Sequence, residues 1–503
     1  MADAGTALNR FGLGARPDEA APGDPRKWLL NQFDAFDPRP AAIAALPARR
    51  IIAGELSDYI DQARMLRRES GMGPGRQHPA APAEPAMTGE AMAPATMARA
   101  GKVDDSDAND PVKQARQFAQ RQARDYYVGA VGARTSAALV TSAPFVERLV
   151  HFWANHFAIS IDKVQVVGLG GLLEFEAIRP HVLGTFGDML NAVERHPAML
   201  LYLDQAQSVG PNSPAGARAM ARGNRNLGLN ENLAREIMEL HTLGVRTGYA
   251  QADVTEFARA MTGWSVAGLT RGIFARAAGV AGTPGDFVFA APLHEPGTRT
   301  IMGKSYGQNG EAQAQAVLDD LAVHPATAMH IATKLARHFT GDAPAPALVQ
   351  RLQTSFLKTG GDLPSLYRVL IESPETWVAQ PAKFKTPWEW SISSYRALGM
   401  KEVRPQAVVT LLNQLGQPAW KPGSPAGYDD IAASWAGPDA ILRRVEAAER
   451  FSARAGAQVD ARTLAPKLFP ATLSTTTAQA LARAESAGQA LALLLVAPEF
   501  MRR

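Results

Sequence analysis

Four apolar-periodic runs in close succession, Glu311–Val323, Ala326–Phe339, Ala347–Thr359 and Leu363–Glu372, constrain this chain more than any other feature. Apolar side chains recurring every three to four residues lie on one stripe of an α-helix, so the runs predict four consecutive helices. The same reading predicts helices over Val112–Tyr127 and Ala143–Phe157, around Trp28-Leu29-Leu30, and twice between Glu174 and Tyr202 with a break near His196-Pro197. Strand signals are few. Phe287–Ala290 and Arg299–Met302 are short β-like runs around His294-Glu295-Pro296-Gly297 and predict one hairpin. The expected fold is mainly α: a large multi-helix globular protein with a small β-hairpin element.

With 503 residues, 46% hydrophobic and 20% charged, the chain can bury a large core. Its composition shifts sharply between Glu69 and Asp110, where Gly, Pro, Ala and Met dominate. Such a stretch cannot bury enough apolar area to offset its ordering entropy, which predicts a disordered or low-complexity insertion. The expected organisation is an N-terminal helical segment over 1–65, the insertion over 66–111, a main helical domain over 112–400, and a helical segment over 401–503 packed on it. A second irregular stretch, Gln205 to Leu229, carries Arg218, Arg222 and Arg225 and is expected as a long lid or binding loop. Val164–Val167 reads as a short β-like run before the Gly168, Gly170, Gly171 cluster. Leu173 occupies the third glycine position of a dinucleotide fingerprint, so the cluster is expected to be a turn.

Charge and composition close several routes. Lys and Arg number 52 against 48 Asp and Glu, a near balance that argues against nucleic acid as the main partner. There is no cysteine, so disulfides, thiolate catalysis and cysteine-ligated metals are excluded. The apolar run Ala490–Ala497 is too short to span a bilayer. The start of the chain shows no secretory signal, which predicts a cytoplasmic protein, or an exported one if the chain is trimmed.

Polar chemistry is densest from Asn230 to Trp264. Asn230 is a suitable N-cap and Gly244 a suitable helix end. At about 100° per residue, Leu233, Ile237 and Leu240 make one apolar stripe, and Asn232, Glu236 and Glu239 share the adjoining face. Arg235 can pair with Glu231 or Glu239, and His241 falls on roughly the opposite side from Glu239. Carboxylates beside a buried edge either form ion pairs or have shifted pKa values suited to acid–base work. The plainer alternative is a helix held by ion pairs and caps. A second helix is expected from Asp253, with Asp253 and Glu256 as a capping box. Trp264 at its end is a core plug or a stacking surface.

Elsewhere, Trp153 and His156 lie on a helix that is apolar nearly all round, which predicts a buried, hydrogen-bonded His156 with a ligand role as the alternative. His294, in the Gly/Pro hairpin, is the histidine favoured for chemistry, and Asp204 leads into the long loop and could face the same cleft. Lys383, Lys385 and Glu389 are expected at the surface in ion pairs.

Taken together, these segments closely resemble the bacterial family catalogued as domain of unknown function 1800. The resemblance rests on Leu8-Asn-Arg-Phe-Gly-Leu-Gly14, Phe152-Trp-Ala-Asn-His-Phe157, His196-Pro-Ala-Met-Leu200 with Leu203-Asp204, and the whole of Asn230–Gly244. It continues through Asp253-Val254, Thr262-Gly-Trp264, His294 to Gly303, Lys383-Phe-Lys-Thr-Pro387 and the Gly416-Gln417…Pro422…Gly427 stretch. It implies a largely helical protein and carries no activity with it. Members are often encoded beside proteins resembling the alkaline phosphatase/sulfatase superfamily, which implies such a partner. Many members also look like His-Asp where this chain has His294-Glu295.

The functional expectation is a hydrolase acting on a glycan or polysaccharide. Glu236 and Glu239 would be acid/base carboxylates, Asp204 or His294 would stand across the cleft, and Asn232, Arg235, His156, Trp153 and Trp264 would bind. Two neighbours one turn apart rarely flank a scissile bond, so a partner from another element is required. The alternatives are a non-enzymatic binding or accessory protein with an ion-paired polar helix, and a metal site joining Glu236 or Glu239 to His156 or His294. The ligand expected is a glycan or another small molecule.

Overall fold

The computed structural model describes residues 2–69, 111–223, 228–270, 274–275, 282–455 and 458–503. The disordered insertion expected over 66–111 lies almost wholly outside the described residues. The fold is mainly α, with two small two-stranded antiparallel sheets. The four consecutive helices are present as Glu311–Ala322, Pro325–Thr340, Pro346–Thr359 and Leu363–Glu372.

Proline opens many of these helices. Pro25, Pro144, Pro325, Pro346, Pro387 and Pro405 all sit in the first turn. There the missing N–H would have had no intrahelical partner and the fixed φ is already helical. Oxygen-bearing caps add to this signal: Asp24, Thr185, Asp362 and Thr386 each accept a backbone N–H from the first turn of the helix they precede.

One apolar cluster runs from Ala7 to Met501. The helix Pro111–Val140 is longer than its periodic run suggested and packs against Arg49–Glu69 and Pro405–Gln414. The N-terminal motif is built into this core. Arg10 donates to the carbonyls of Thr376 and Gln380, and Arg148 and Arg396 donate to the carbonyls of Gly12 and Gly14. A Cβ at Gly14 would collide with Ser393, and its φ of +102° favours glycine as well.

Four local expectations are corrected. The two β-like runs do not pair with each other. Strand β1 (Trp264–Val266) pairs with β2 (Phe287–Phe289), and β3 (Arg299–Ile301) pairs with β4 (Lys304–Tyr306). The tight partner of Ile301 is Lys304, across a turn at Met302-Gly303 where both residues have positive φ. Val164–Val167 is a short helix, its residues packed against the Pro111–Val140 and Pro197–Tyr202 helices. The stretch Gln205–Leu229 carries a helix, Pro214–Ala221, capped by Ser213. The second polar helix starts at Gln251, so Asp253 is its third residue. Asp253 accepts from the Ala250 and Met302 N–H groups and does not form an N-terminal box with Glu256.

Candidate functional site

The polar helix begins at Asn232 and changes to a π-helical turn over Ile237–His241. Asn230 caps it by accepting the Asn232 N–H, and its amide donates to the carbonyls of Leu203 and Asp204, so Asp204 is brought to the start of this helix. The Asp204 carboxylate itself turns to Lys163 at 2.7 Å. Arg235 pairs with Glu231, not Glu239. Gln251 and Thr255 of the next helix also donate to Glu231. Burial pushes the Glu236 carboxyl up, opposed by His241 and helped by Glu239. Glu239 faces the Tyr249 hydroxyl, which burial and that carboxylate push up to about 12. His241 is fully buried with Nδ1 2.7 Å from Glu194, turned to a partner outside this helix while its charge still reaches Glu236.

The other sequence-predicted residues scatter. His294 Nδ1 bonds the Thr262 carbonyl at 2.9 Å, beside Trp264 in the chain. Trp153 and Trp264 are fully buried. The Trp153 indole donates to the Tyr367 hydroxyl, and Trp264 lies under Arg195. Asn232 is exposed. Among the described residues, no group of three or more His, Asp or Glu side chains is placed to hold a metal ion, and no helix is long and apolar enough to cross a membrane.

His156 points elsewhere. It helps line a solvent-open cleft with a cavity volume of about 100 Å³, bounded by the Pro144–His156 and Pro325–Thr340 helices, the start of the Pro387–Ala397 helix and the 417–430 loop. The loop is fastened to the first helix by Asn155, which donates to the Tyr428 carbonyl and accepts the Tyr428 N–H, both at 2.8 Å. Gly427, at φ +83°, makes this approach possible, because a Cβ there would collide with the Asn155 carbonyl. Gln417 accepts the Trp388 N–H and joins the loop to the third helix.

The charged walls of the cleft are tightly paired. The Arg134 guanidinium binds Glu174 and lies 4.2 Å from the Trp388 ring centroid and 5.3 Å from that of Trp420. Glu389 pairs with Arg148 and, at 2.8 Å, with Arg503. Burial pushes its carboxyl up, but these two cations hold it at about 2. Asp430 takes His338 at 3.0 Å and Lys383 at 3.1 Å. Those partners hold it far below the carboxylate range against its burial. His338 donates through Nδ1 to Asp430 and faces Arg503 through Nε2 at 3.2 Å. Burial, with Arg503 adding to it, pushes its pKa down to about 4.

Lys334 is different. It lines the cleft, and among the described residues it makes no hydrogen bond and no ion pair. Burial pushes its ammonium down to about 8, opposed by the charge of Asp430 and aided by Arg337. His330 and His338, one turn to either side on the same helix, are neutral at pH 7, since burial drives each to about 4. His156 donates through Nε2 to the His241 carbonyl, which leaves its buried Nδ1 lone pair without a partner.

Sequence reading missed most of this cleft. Lys383, Lys385 and Glu389 are buried, against the expectation of a surface position, because Arg148, Arg503, Asp430 and Ser393 supply partners inside the fold. The spacing of His330, Lys334 and His338 at i, i+4 and i+8 on one amphipathic helix was the available signal.

A mainly α protein with one aromatic- and cation-walled cleft is what the fold and this site define. The chain belongs to the family described as protein of unknown function (DUF1800), which matches residues 6–502. No curated protein and no solved structure matches the chain. Three of the segments that carry the family resemblance, Phe152–Phe157, Lys383–Pro387 and Gly416–Gly427, meet in the cleft although more than two hundred residues separate the first from the other two.

Proposed function

We propose that this protein binds a small anionic molecule in the cleft, with Lys334 as the cation that meets it. One observation carries this reading: every other charged side chain lining the cleft has an ion-pair or hydrogen-bond partner in the fold, and Lys334 has none among the described residues. An unpaired, half-buried ammonium costs stability unless a counter-charge arrives. The indole faces of Trp388 and Trp420 and the Tyr428 ring supply apolar walls for the remainder of such a ligand. Calorimetric titration with a panel of small organic anions at pH 7 tests it. Binding by at least one is expected, about ten- to a hundredfold weaker in Lys334→Met, as for a lost charge-assisted hydrogen bond. Binding that is unchanged in the variant, or no binding by any member, overturns the proposal.

A second reading keeps the hydrolase expectation on the polar helix. Glu236, pushed up by burial and by Glu239, has the character of a general acid, and Tyr202 lies close enough to feel its charge. Loss of glycan hydrolysis in Glu236→Gln, with the fold intact, is its expected outcome. Equal activity in the two proteins removes it. An accessory role for the protein, including one beside a phosphatase/sulfatase-like partner, is favoured if neither site turns anything over.

A further inference from the structure

We infer that Lys334 is a nucleophilic lysine that captures a carbonyl group of its ligand as an imine, so that the ligand class is a small 2-oxo or aldehydo acid. This rests on the reading of the cleft as an anion site and goes beyond it, since it assigns a covalent step to the same amine.

The first ground is what surrounds the amine. A lysine beside a free carboxylate is held as ammonium and cannot attack. Among the described residues, the one carboxylate whose charge reaches Lys334 is Asp430, and both of its oxygens are committed, one to His338 and one to Lys383. The titratable side chains one turn away are the imidazoles of His330 and His338, both neutral at pH 7, and the Arg337 guanidinium, whose charge adds to the effect of burial. Burial therefore acts against the ammonium with little opposing it, and about a tenth of the amine is neutral at pH 7 for a pKa near 8.

The second ground is access. Lys385 has its amine driven lower still, to about 7, yet it is fully buried, bonded to the Ser393 hydroxyl and packed on Phe500. Lys334 combines a weakened ammonium with an open cleft. The third is the bare Nδ1 of His156, a buried acceptor on the neighbouring helix that lines the same cleft, close enough that Lys334 helps to depress its pKa. Such an orphaned acceptor is expected where a ligand or water completes the hydrogen bonding.

The step balances without any redox partner. The amine lone pair forms the C–N bond while the carbonyl π pair moves to oxygen. Both amine protons then pass to that oxygen through water in the cleft, and the C–O bond breaks as water leaves, giving C=N. The acid group of the ligand stays beside the imine, which is cationic when protonated.

Incubating the full chain with pyruvate and sodium cyanoborohydride, followed by peptide mass spectrometry, tests the inference. Carboxyethylation of Lys334 is expected at least about tenfold faster than at any other lysine, and it should be absent from the corresponding peptide of Lys334→Arg. The Lys385 peptide should stay unlabelled. Lactate, which has the same carboxylate and no ketone to capture, should bind the native protein, bind Lys334→Met at least about tenfold more weakly, and slow the labelling. If lactate binds through Lys334 but pyruvate leaves no adduct there, the covalent step is wrong and the anion site stands. If lactate does not bind and labelling is uniform over exposed lysines, both are wrong.

Discussion

Acidification should unfold this protein earlier than its carboxylates alone require, and His338 makes the effect measurable. Its side chain is 12% exposed, with Asp430 on Nδ1, Arg503 on Nε2 and Glu389 close by. Arg503 and burial outweigh the two carboxylates and hold the folded-state pKa at about 4, against about 6.5 in the unfolded chain. Between those values the unfolded state binds a proton that the folded state refuses. The stabilisation is therefore complete above pH 6.5, is lost as pH falls through the window, and changes no further below pH 4. Integrating from pH 7 to pH 5 gives a loss of about 2 kcal/mol from this one residue. His338→Gln retains a donor for Asp430 and an acceptor for Arg503 but cannot titrate. Urea unfolding followed by tryptophan fluorescence at pH 7 and pH 5 should show the native protein losing about 2 kcal/mol more than the variant. Equal losses, or a native protein that gains stability at pH 5, would refute the assignment of a neutral His338.

Three further outcomes follow from the same cleft. Glu389→Gln leaves the buried Arg148 and Arg503 without their carboxylate and should cost about 3–5 kcal/mol in urea unfolding, whereas a cost below 1 kcal/mol means the cations are not truly desolvated. Lys334→Met should stabilise the unliganded protein by about 1–2 kcal/mol, because it removes a half-buried charge with no partner; a lower unfolding midpoint would show that Lys334 has a structural partner. Gly427→Ala, with positive φ and a collision at Asn155, should cost about 1–3 kcal/mol and weaken any anion binding, since it displaces the 417–430 loop; an unchanged melting curve would place the loop elsewhere.

Much of the architecture was legible in the chain. The helices over Glu311–Ala322, Pro325–Thr340, Pro346–Thr359 and Leu363–Glu372 follow their apolar stripes almost to the residue, because a one-sided apolar face has one way to leave water. The separation of His241 from Glu239 also follows from helical angles alone. Strand pairing was not legible. Phe287–Phe289 and Trp264–Val266 are more than twenty residues apart, and three-residue strands carry too little pattern to choose a partner.

What the sequence determined by itself was therefore local: helix positions, caps, the absence of cysteine chemistry, and the motifs that mark the family. The candidate site was decided by tertiary structure. Lys383, Glu389 and Asp430 look like ordinary surface charges in one dimension, and only the fold supplies Arg148, Arg503 and His338, drawn from three separate segments, to pair with them inside. The polar helix is conspicuous in one dimension because its charges crowd together in sequence. Lys334 stands out for the opposite reason: folding gives partners to the charges around it and, among the described residues, leaves its amine without one in the cleft. A missing counter-charge is a property of three-dimensional neighbourhood, so no reading of residue types and spacings could have supplied it.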